Sequence, residues 1–159
     1  MTLQRNLADE AATLTLGAAI ARVIRPGACI YVSGDLGAGK TTLSRGLLHA
    51  LGHSGRVKSP TYTLVELYVI STLNLYHFDF YRFNDPEEWN EAGFRDFFNE
   101  TNICLVEWPE KAGNLLPPPD LRIRLRPALD EGRIATIEAQ TAAGQAMLQA
   151  LTSQLAASA

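Results

Sequence analysis

The sequence predicts an α/β fold in which helices flank a central, mostly parallel sheet, with an antiparallel β-hairpin added near the C-terminus. Short apolar runs at 28–32 and 103–106 lack polar alternation, which is typical of strands buried on both faces. Segments with apolar residues at helical spacing surround these runs. Between 121 and 137, apolar residues alternate with polar ones on both sides of a turn at 130–132, and this pattern favours a hairpin.

The first helix is predicted to begin at Asn6, which can cap it, and to end at the Pro-Gly pair at 26–27. Asp9 and Glu10 then lie in its first turn, where the helix dipole favours carboxylates. The apolar face of this helix is formed by Leu16, Ile20, Val23 and Ile24. The buried strand at 28–32 follows.

A glycine-rich turn at 33–39 separates that strand from a second predicted helix. This helix begins after Lys40 and stops at Gly52, a residue type that commonly ends helices. Its apolar stripe consists of Leu43, Leu47, Leu48 and Leu51.

Two segments rich in β-branched and aromatic residues, 62–70 and 73–78, are predicted as strands. The stretch 85–99 is predicted as a helix, because Asp85 can cap it and Pro86 suits its first position. The third apolar strand then runs from Ile103 to Val106.

In the predicted hairpin, Arg122, Arg124 and Arg126 alternate with apolar residues. We interpret this arginine row as a solvated edge of the sheet. The less common alternative is a docking surface for an acidic partner or RNA. A terminal helix is predicted at 141–155, and the Ala- and Ser-rich tail from about 156 to 159 is expected to fray.

The composition predicts one domain spanning residues 1–159, since the chain is 47% hydrophobic and 19% charged. The formal net charge of −3 creates no field that would collect DNA, RNA or anionic lipid, so DNA is not an expected partner and any RNA contact is local or indirect. Cys29 and Cys104 lie in apolar runs and are predicted to be buried thiols in a reducing compartment. No segment resembles a membrane span or a signal peptide, so a cytoplasmic location is expected.

A phosphate-binding motif lies between the first buried strand and the second helix. Residues 34–41 read G-D-L-G-A-G-K-T, which matches the Walker A pattern G-x-x-x-x-G-K-[ST]. The glycines allow the N–H groups of 37–41 to face phosphate oxygens, Lys40 adds a positive charge, and the Thr41 hydroxyl can bind Mg²⁺. The residues assigned to nucleotide binding are Asp35, Gly37, Ala38, Gly39, Lys40, Thr41 and Thr42.

A P-loop of this kind needs a further carboxylate at the end of a neighbouring strand to hold Mg²⁺. Asp79 and Glu107 are the two candidates, because each ends a predicted strand. We expect one of them to bind the metal, directly or through water, and the other to polarise the attacking water. The sequence does not decide which residue does which.

Other residues near these strands have two interpretations each. Thr61 and Thr63 precede a strand, where a hydroxyl could sense the γ-phosphate, or they are ordinary turn and strand residues. His77 alternates with Asp79, and we interpret it as a satisfied core histidine in preference to a catalytic one.

Five ordered blocks give the chain a resemblance to a known family. They are G-D-L-G-A-G-K-T-T at 34–42, V-K-S-P-T-Y-T-L-V-E at 57–66, H-F-D-F-Y-R at 77–82, D-P-E-E at 85–88 and C-L-V-E-W-P-E at 104–110. Between residue 7 and about residue 120, the chain resembles the bacterial TsaE family, also called YjeE. This match is more specific than the Walker A pattern alone.

The resemblance implies a small P-loop ATPase that acts in making threonylcarbamoyladenosine in tRNA. Members join the TsaB–TsaD heterodimer, and ATP hydrolysis resets that complex between rounds of transfer, so tRNA is an indirect partner. By the same resemblance, Lys40 and Thr41 match the Walker A pair, Asp79 the magnesium-linked aspartate and Thr61 a switch-like threonine. Glu107 and Trp108 match a Glu-Trp pair implicated in hydrolysis and nucleotide placement.

Two other functions fit the same motif. A small-molecule kinase usually has an arginine-bearing lid, but the segment between Phe80 and Asn102 supplies only Arg82 and Arg95. A nucleotide-gated interaction module would bind the same ligand with little turnover. ATP is favoured over GTP because the chain contains no N-K-x-D string for reading guanine.

Overall fold

The structure, a computed structural model, describes residues 1–158, which form one seven-stranded sheet, four α-helices and three short 3₁₀ helices. The strands are β1 (Thr2–Leu7), β2 (Cys29–Ser33), β3 (Val65–Ile70), β4 (Leu73–Asp79), β5 (Ile103–Glu107), β6 (Leu121–Pro127) and β7 (Arg133–Ala139). The α-helices are α1 (Glu10–Val23), α2 (Lys40–Leu51), α3 (Pro86–Ala92) and α4 (Ala142–Ala157). The 3₁₀ helices are Phe94–Phe97, Pro109–Lys111 and Gly113–Leu115.

The strands lie in the order β1-β7-β6-β2-β5-β4-β3. β2 pairs in parallel with β5 and β6, and β4 pairs in parallel with β5. The remaining pairs, β1 with β7, β6 with β7 and β3 with β4, are antiparallel. The predicted α/β class is confirmed, and the sheet as a whole is mixed.

The N-terminal prediction is wrong in one respect, because Asn6 does not cap a helix. It lies in β1, opposite Ile134 of β7, where strand pairing satisfies its backbone. The helix begins at Glu10 instead, and Asp9 caps it by accepting a 2.8 Å hydrogen bond from the N–H of Ala12. Residues 2–7 therefore form an edge strand that the sequence pattern did not predict.

Two other elements are shorter than predicted. The strand at 62–70 begins only at Val65, because residues 60–64 form a turn closed by a 2.8 Å bond from the Leu64 N–H to the Pro60 carbonyl. The helix at 85–99 ends at Ala92, because Gly93 adopts a left-handed conformation that terminates it.

The C-terminal half also differs from expectation. The arginine row is not an edge, because β6 lies inside the sheet between β7 and β2. Arg122 lies over the Tyr31 ring, 5.3 Å from its centroid, and Arg124 pairs with Glu138 on the exposed face. α4 extends to Ala157, beyond the predicted start of the frayed tail, and residue 159 lies outside the described residues.

The sheet separates two cores. On one face, α1, α2 and α4 cover the aliphatic side chains of the central strands. On the other face, α3 and the following segments bury an aromatic cluster. Its buried aromatic members are Tyr31, Phe78, Phe80, Phe83, Trp89 and Phe94. Among residues 1–158, no helix combines the length and apolar character needed to span a bilayer.

Both cysteines are free and buried, as predicted. Cys29 of β2 and Cys104 of β5 are register partners on neighbouring parallel strands. Burial raises the pKa of the Cys104 thiol to about 12 and that of the Cys29 thiol even further, so neither is a reactive thiolate at neutral pH.

The close crossing of α1 and α2 depends on two glycines. A Cβ built on Gly17 would lie 2.3 Å from the Leu43 carbonyl oxygen, and one built on Gly46 would lie 2.4 Å from that of Leu14. These distances allow no side chain, so the two backbones touch directly. This contact holds α2, and with it the glycine-rich loop at its N-terminus, against the rest of the fold.

We therefore expect Gly17→Ala to lower the free energy of unfolding by roughly 1–3 kcal/mol, because the added methyl group meets backbone that cannot move away. The sign of this change is diagnostic, because replacing glycine by alanine inside a helix normally raises the free energy of unfolding by about 1 kcal/mol. Urea titration followed by circular dichroism measures it. Gly55→Ala is the control, since its Cβ meets only the His53 ring, and it should stay within about 0.5 kcal/mol of the unaltered chain.

Candidate functional site

A pocket of about 310 Å³ lies between the glycine-rich loop (residues 33–39) and the C-terminal ends of β4 and β5. Parallel strands present their C-terminal ends at one edge of a sheet, which is where ligands bind in open α/β folds. The pocket is lined by Leu36, Gly37, Gly39, Lys40, Thr41, Thr42, Ser59, Thr61, Asp79, Tyr81, Glu107 and Trp108.

The glycine-rich loop depends on backbone conformations that favour glycine. Gly37 and Gly39 have φ angles of 79° and 102°. Gly39 is the N-cap of α2 and provides no side-chain oxygen, so the N–H groups of the first helical turn remain available to a ligand. The Ala38 N–H differs, because it donates a 3.0 Å hydrogen bond to the Asp35 carbonyl.

The Lys40 side chain lies within this loop. Its Nζ donates hydrogen bonds to the carbonyls of Gly34 at 2.5 Å and Asp35 at 2.8 Å. It also lies 4.5 Å from the centroid of the Trp108 ring, a cation–π distance. Burial lowers the pKa of the Lys40 ammonium, while nearby carboxylates, chiefly that of Glu107, oppose the shift.

Trp108 directly follows β5 and lines the pocket. It has a left-handed backbone with φ of 55°, which is costly for a bulky residue and is found mainly at functional sites. Its ring packs against Tyr81 with centroids 5.0 Å apart. The tryptophan therefore forms one wall of the pocket, with Lys40 on its inner face.

Glu107, at the end of β5, is only 2% exposed. Its Oε2 is 2.5 Å from Nε2 of His77 and 3.4 Å from the Ser44 hydroxyl. Its Oε1 accepts a 3.4 Å hydrogen bond from the Thr41 hydroxyl. One oxygen is thus bound inside the protein, and the other faces the first turn of α2.

Asp79, at the end of β4, is the register partner of Glu107 and is also buried. Its Oδ1 accepts a 2.9 Å hydrogen bond from the Tyr81 N–H. Its Oδ2 accepts hydrogen bonds from the hydroxyls of Ser59 and, at 3.3 Å, of Thr61. Asp79 therefore connects the pocket to the loop that precedes β3.

Most of the predicted site residues line this one pocket. Asp35 contributes a carbonyl to Lys40, and Ala38 lines a different cleft. Thr63 is exposed and lines a neighbouring surface cavity, not the pocket. Arg82 does not line the pocket either, and its guanidinium lies 4.8 Å from the centroid of the Tyr62 ring.

Several contributors were not predicted from the sequence, among them Leu36 and Tyr81, which line the pocket. Ser44 and Ser59 donate to the two carboxylates. His77 is buried, in line with its interpretation as a core histidine, but its contact with Glu107 was not predicted. Nothing in the local sequence identifies the two serines, because each contact joins residues far apart in the chain. For His77, its position two residues before Asp79 on the same strand face was the one available signal.

A second cleft, of about 210 Å³, lies on the other side of the glycine-rich loop. It shares Gly37, Gly39 and Thr42 with the first pocket. Its other walls are the start of α1, including Asp9 and Glu10, and the β6–β7 turn with Arg133. Arg133 Nη2 donates a 3.1 Å hydrogen bond to the Gly37 carbonyl and so ties that turn to the loop.

Comparisons with known proteins agree on one family. The model described as "Threonylcarbamoyl adenosine biosynthesis protein TsaE" matches residues 7–152. The tRNA threonylcarbamoyladenosine biosynthesis protein TsaE of Haemophilus influenzae is 43% identical, with 95% of this chain and 98% of that protein aligned. Its Bacillus subtilis counterpart is 38% identical over 80% of this chain and 82% of its own length. The crystal structure of B. subtilis YdiB superposes with a TM-score of 0.85 at 28% identity, covering 97% and 96% of the two chains.

The geometry at Lys40 makes a prediction about its titration. We expect the Lys40 side chain to lose its proton at a lower pH than the ordinary lysine value of about 10.4, because burial disfavours the charged form. Side-chain NMR of the labelled chain measures this, and Lys40→Arg identifies the signal by removing it. A Lys40 signal that titrates at or above the ordinary value would contradict the buried arrangement.

Proposed function

Because the chain belongs to the TsaE family of tRNA threonylcarbamoyladenosine biosynthesis proteins, we propose that it is an ATP-binding and ATP-hydrolysing accessory protein of this modification. It acts as a Mg²⁺-dependent ATPase that is weak alone and is stimulated by its partner, the TsaB–TsaD heterodimer. Hydrolysis resets that complex between rounds, and tRNA is contacted only through it. We place this activity in the cytoplasm.

The observation that carries the proposal is the convergence of Lys40, Thr41 and two buried carboxylates on a single pocket beside the glycine-rich loop. The open N–H groups of α2 and the Lys40 ammonium suit the β- and γ-phosphates of ATP. Phosphate oxygens would replace the loop carbonyls that Lys40 now contacts. The donor set fits ATP together with a divalent cation.

Mg²⁺ prefers oxygen ligands and is usually held by one or two carboxylates together with phosphates and water. The site offers the Thr41 hydroxyl and the Glu107 Oε1, which lie 3.4 Å apart. We therefore assign Thr41 and Glu107 to direct metal binding. When bound, the ion supplies positive charge to the transferring phosphoryl group.

Asp79 takes a different role in this proposal. Its hydrogen bonds come from the Ser59 and Thr61 hydroxyls and from the Tyr81 N–H, and none comes from α2. It is thus placed to orient the attacking water, and to reach the metal through water only. Thr61 is positioned to register whether the γ-phosphate is present, through the same hydrogen bonds.

The second cleft accommodates the nucleoside. It meets the phosphate pocket at Gly37, Gly39 and Thr42, so a nucleotide can extend from one to the other along the loop. Asp9 and Glu10 offer acceptors for the adenine amino group, and the Arg133 guanidinium offers a flat cation beside the base.

Hydrolysis is better supported than transfer to a small molecule. None of the residues 82–102 lines the phosphate pocket in the described chain, so this segment does not close over it. Trp89 and Phe94 are instead buried in the aromatic core. The loop before β3 faces outward beside the pocket, with Tyr62 84% exposed, and offers a partner direct access to Thr61.

The first functional prediction concerns phosphate release. The chain mixed with the TsaB–TsaD heterodimer should release phosphate from ATP faster than either component alone. Lys40→Ala should reduce this by about 100-fold or more, because it removes the positive charge that faces the transferring phosphoryl group. A coupled phosphate assay measures both rates.

Lys58→Ala is the matched control, because Lys58 lines the neighbouring surface cavity and not the phosphate pocket. Its hydrolysis without the heterodimer should stay close to that of the unaltered chain. Unchanged turnover in Lys40→Ala, with or without the heterodimer, would refute the proposed ATPase. Transfer of phosphate to a metabolite in place of water would instead favour a kinase.

The second functional prediction separates the two carboxylates. Glu107→Gln should raise the Mg²⁺ concentration needed for half-maximal hydrolysis, because it weakens a direct ligand. Asp79→Asn should leave that concentration nearly unchanged and lower kcat by about 100-fold or more, because it removes the group that orients water. Both values come from hydrolysis rates over a range of Mg²⁺ at saturating ATP. The opposite pattern would exchange the two roles.

A further inference from the structure

We propose that His77 is a positioning residue for the metal-binding carboxylate. It holds Glu107 Oε2 inside the protein and thereby keeps Oε1 directed toward Thr41. This inference rests on the proposed function, since it concerns the cation that Thr41 and Glu107 are assigned to bind. Neither the Walker A motif nor the roles proposed for the residues of the pocket give His77 a function.

The contact between His77 and Glu107 is the strongest that the carboxylate makes. The Nε2–Oε2 distance is 2.5 Å, whereas the bonds from Thr41 and Ser44 are each 3.4 Å, close to the limit for a hydrogen bond. His77 is completely buried, so water does not compete for its nitrogen. The imidazole therefore determines the orientation of the Glu107 side chain.

The other ring nitrogen indicates how the proton is placed. Nδ1 of His77 is buried and has no hydrogen-bond partner among the described residues. A proton on Nδ1 would be a buried donor without an acceptor, which is costly, whereas a bare lone pair there costs less. Nε2 is thus the ring nitrogen that carries a proton toward Glu107 and donates it to Oε2.

A held oxygen suits a metal-binding carboxylate, because His77 occupies Oε2 and leaves Oε1 for the cation. Groups that orient metal ligands in this way typically account for about 10- to 100-fold in metal affinity or activity.

The fold provides a simple reason for the position of His77. β4 and β5 pair in parallel with Asp79 opposite Glu107, and His77 precedes Asp79 by two residues on the same face. Its ring lies on the helix-covered side of the sheet, where Leu75 continues the aliphatic core. An apolar residue would pack there equally well, so packing alone does not account for a histidine.

The test compares two substitutions. His77→Leu fills the space without a donor, whereas His77→Gln places an amide nitrogen near the position of Nε2. For each we would measure the Mg²⁺ dependence of ATP hydrolysis with the TsaB–TsaD heterodimer, ATP binding in EDTA by calorimetry, and the unfolding midpoint. His49→Leu, at an exposed position of α2, is the matched control; it removes a contact with the Gly55 carbonyl but should leave the Mg²⁺ dependence and the ATP binding unchanged.

We expect His77→Leu to raise the half-saturating Mg²⁺ concentration by about 10- to 100-fold while ATP binding in EDTA is retained. His77→Gln should recover most of this loss. Equal Mg²⁺ dependence in the leucine variant and the unaltered chain, or a glutamine variant no better than leucine, would overturn the proposal. If the unaltered chain neither bound nor hydrolysed ATP, the proposed function would be refuted, and the role assigned to His77 with it.

Imidazole ¹⁵N NMR of the unaltered chain provides a test that does not depend on whether the leucine variant folds. The expected spectrum shows a slowly exchanging, strongly downfield proton on Nε2 of His77. An Nε2 without a proton would overturn the proposal.

Discussion

The site is organised around two buried carboxylates on neighbouring strands. Asp79 and Glu107 are register partners at the ends of β4 and β5, and both are almost inaccessible to water. Burying one charge is costly without hydrogen bonds, and burying two beside each other adds their repulsion. The surrounding structure offsets this cost with a separate set of donors for each residue, and each set comes from a different part of the chain.

The separation of these donor sets gives the two carboxylates different properties. Glu107 is bound by β4 and α2, which belong to the rigid centre of the fold, where Gly17 and Gly46 allow α1 and α2 to touch. Asp79 is bound mainly by Ser59 and Thr61, in an exposed loop that ends in a left-handed turn at Leu64. A fixed carboxylate suits a metal ligand, and a carboxylate tied to a loop suits a group that responds to the state of the site.

The sequence predicted what depends on neighbouring residues and missed what depends on pairing across the fold. The glycine-rich loop and Lys40 lie within eight consecutive residues, and Asp79 and Glu107 could be identified because each ends an apolar run. β1 was missed because its six residues become a strand only by pairing with β7, more than a hundred positions away. The role of His77 depends in the same way on the register of β4 against β5, which no local pattern encodes.

Partner dependence follows from the same hydrogen bonds in the proposed reaction. Oδ2 of Asp79 already accepts hydrogen bonds from Ser59 and Thr61, so it must release one of them before it can accept a hydrogen bond from a water molecule. Lys40 likewise donates to carbonyls of its own loop and must exchange them for phosphate. The phosphate supplies the new acceptor for Lys40, but it leaves the Ser59 hydroxyl bound to Asp79. In the proposed reaction, a partner that contacts the exposed segment around Tyr62 moves Ser59 and Thr61 and so frees this carboxylate.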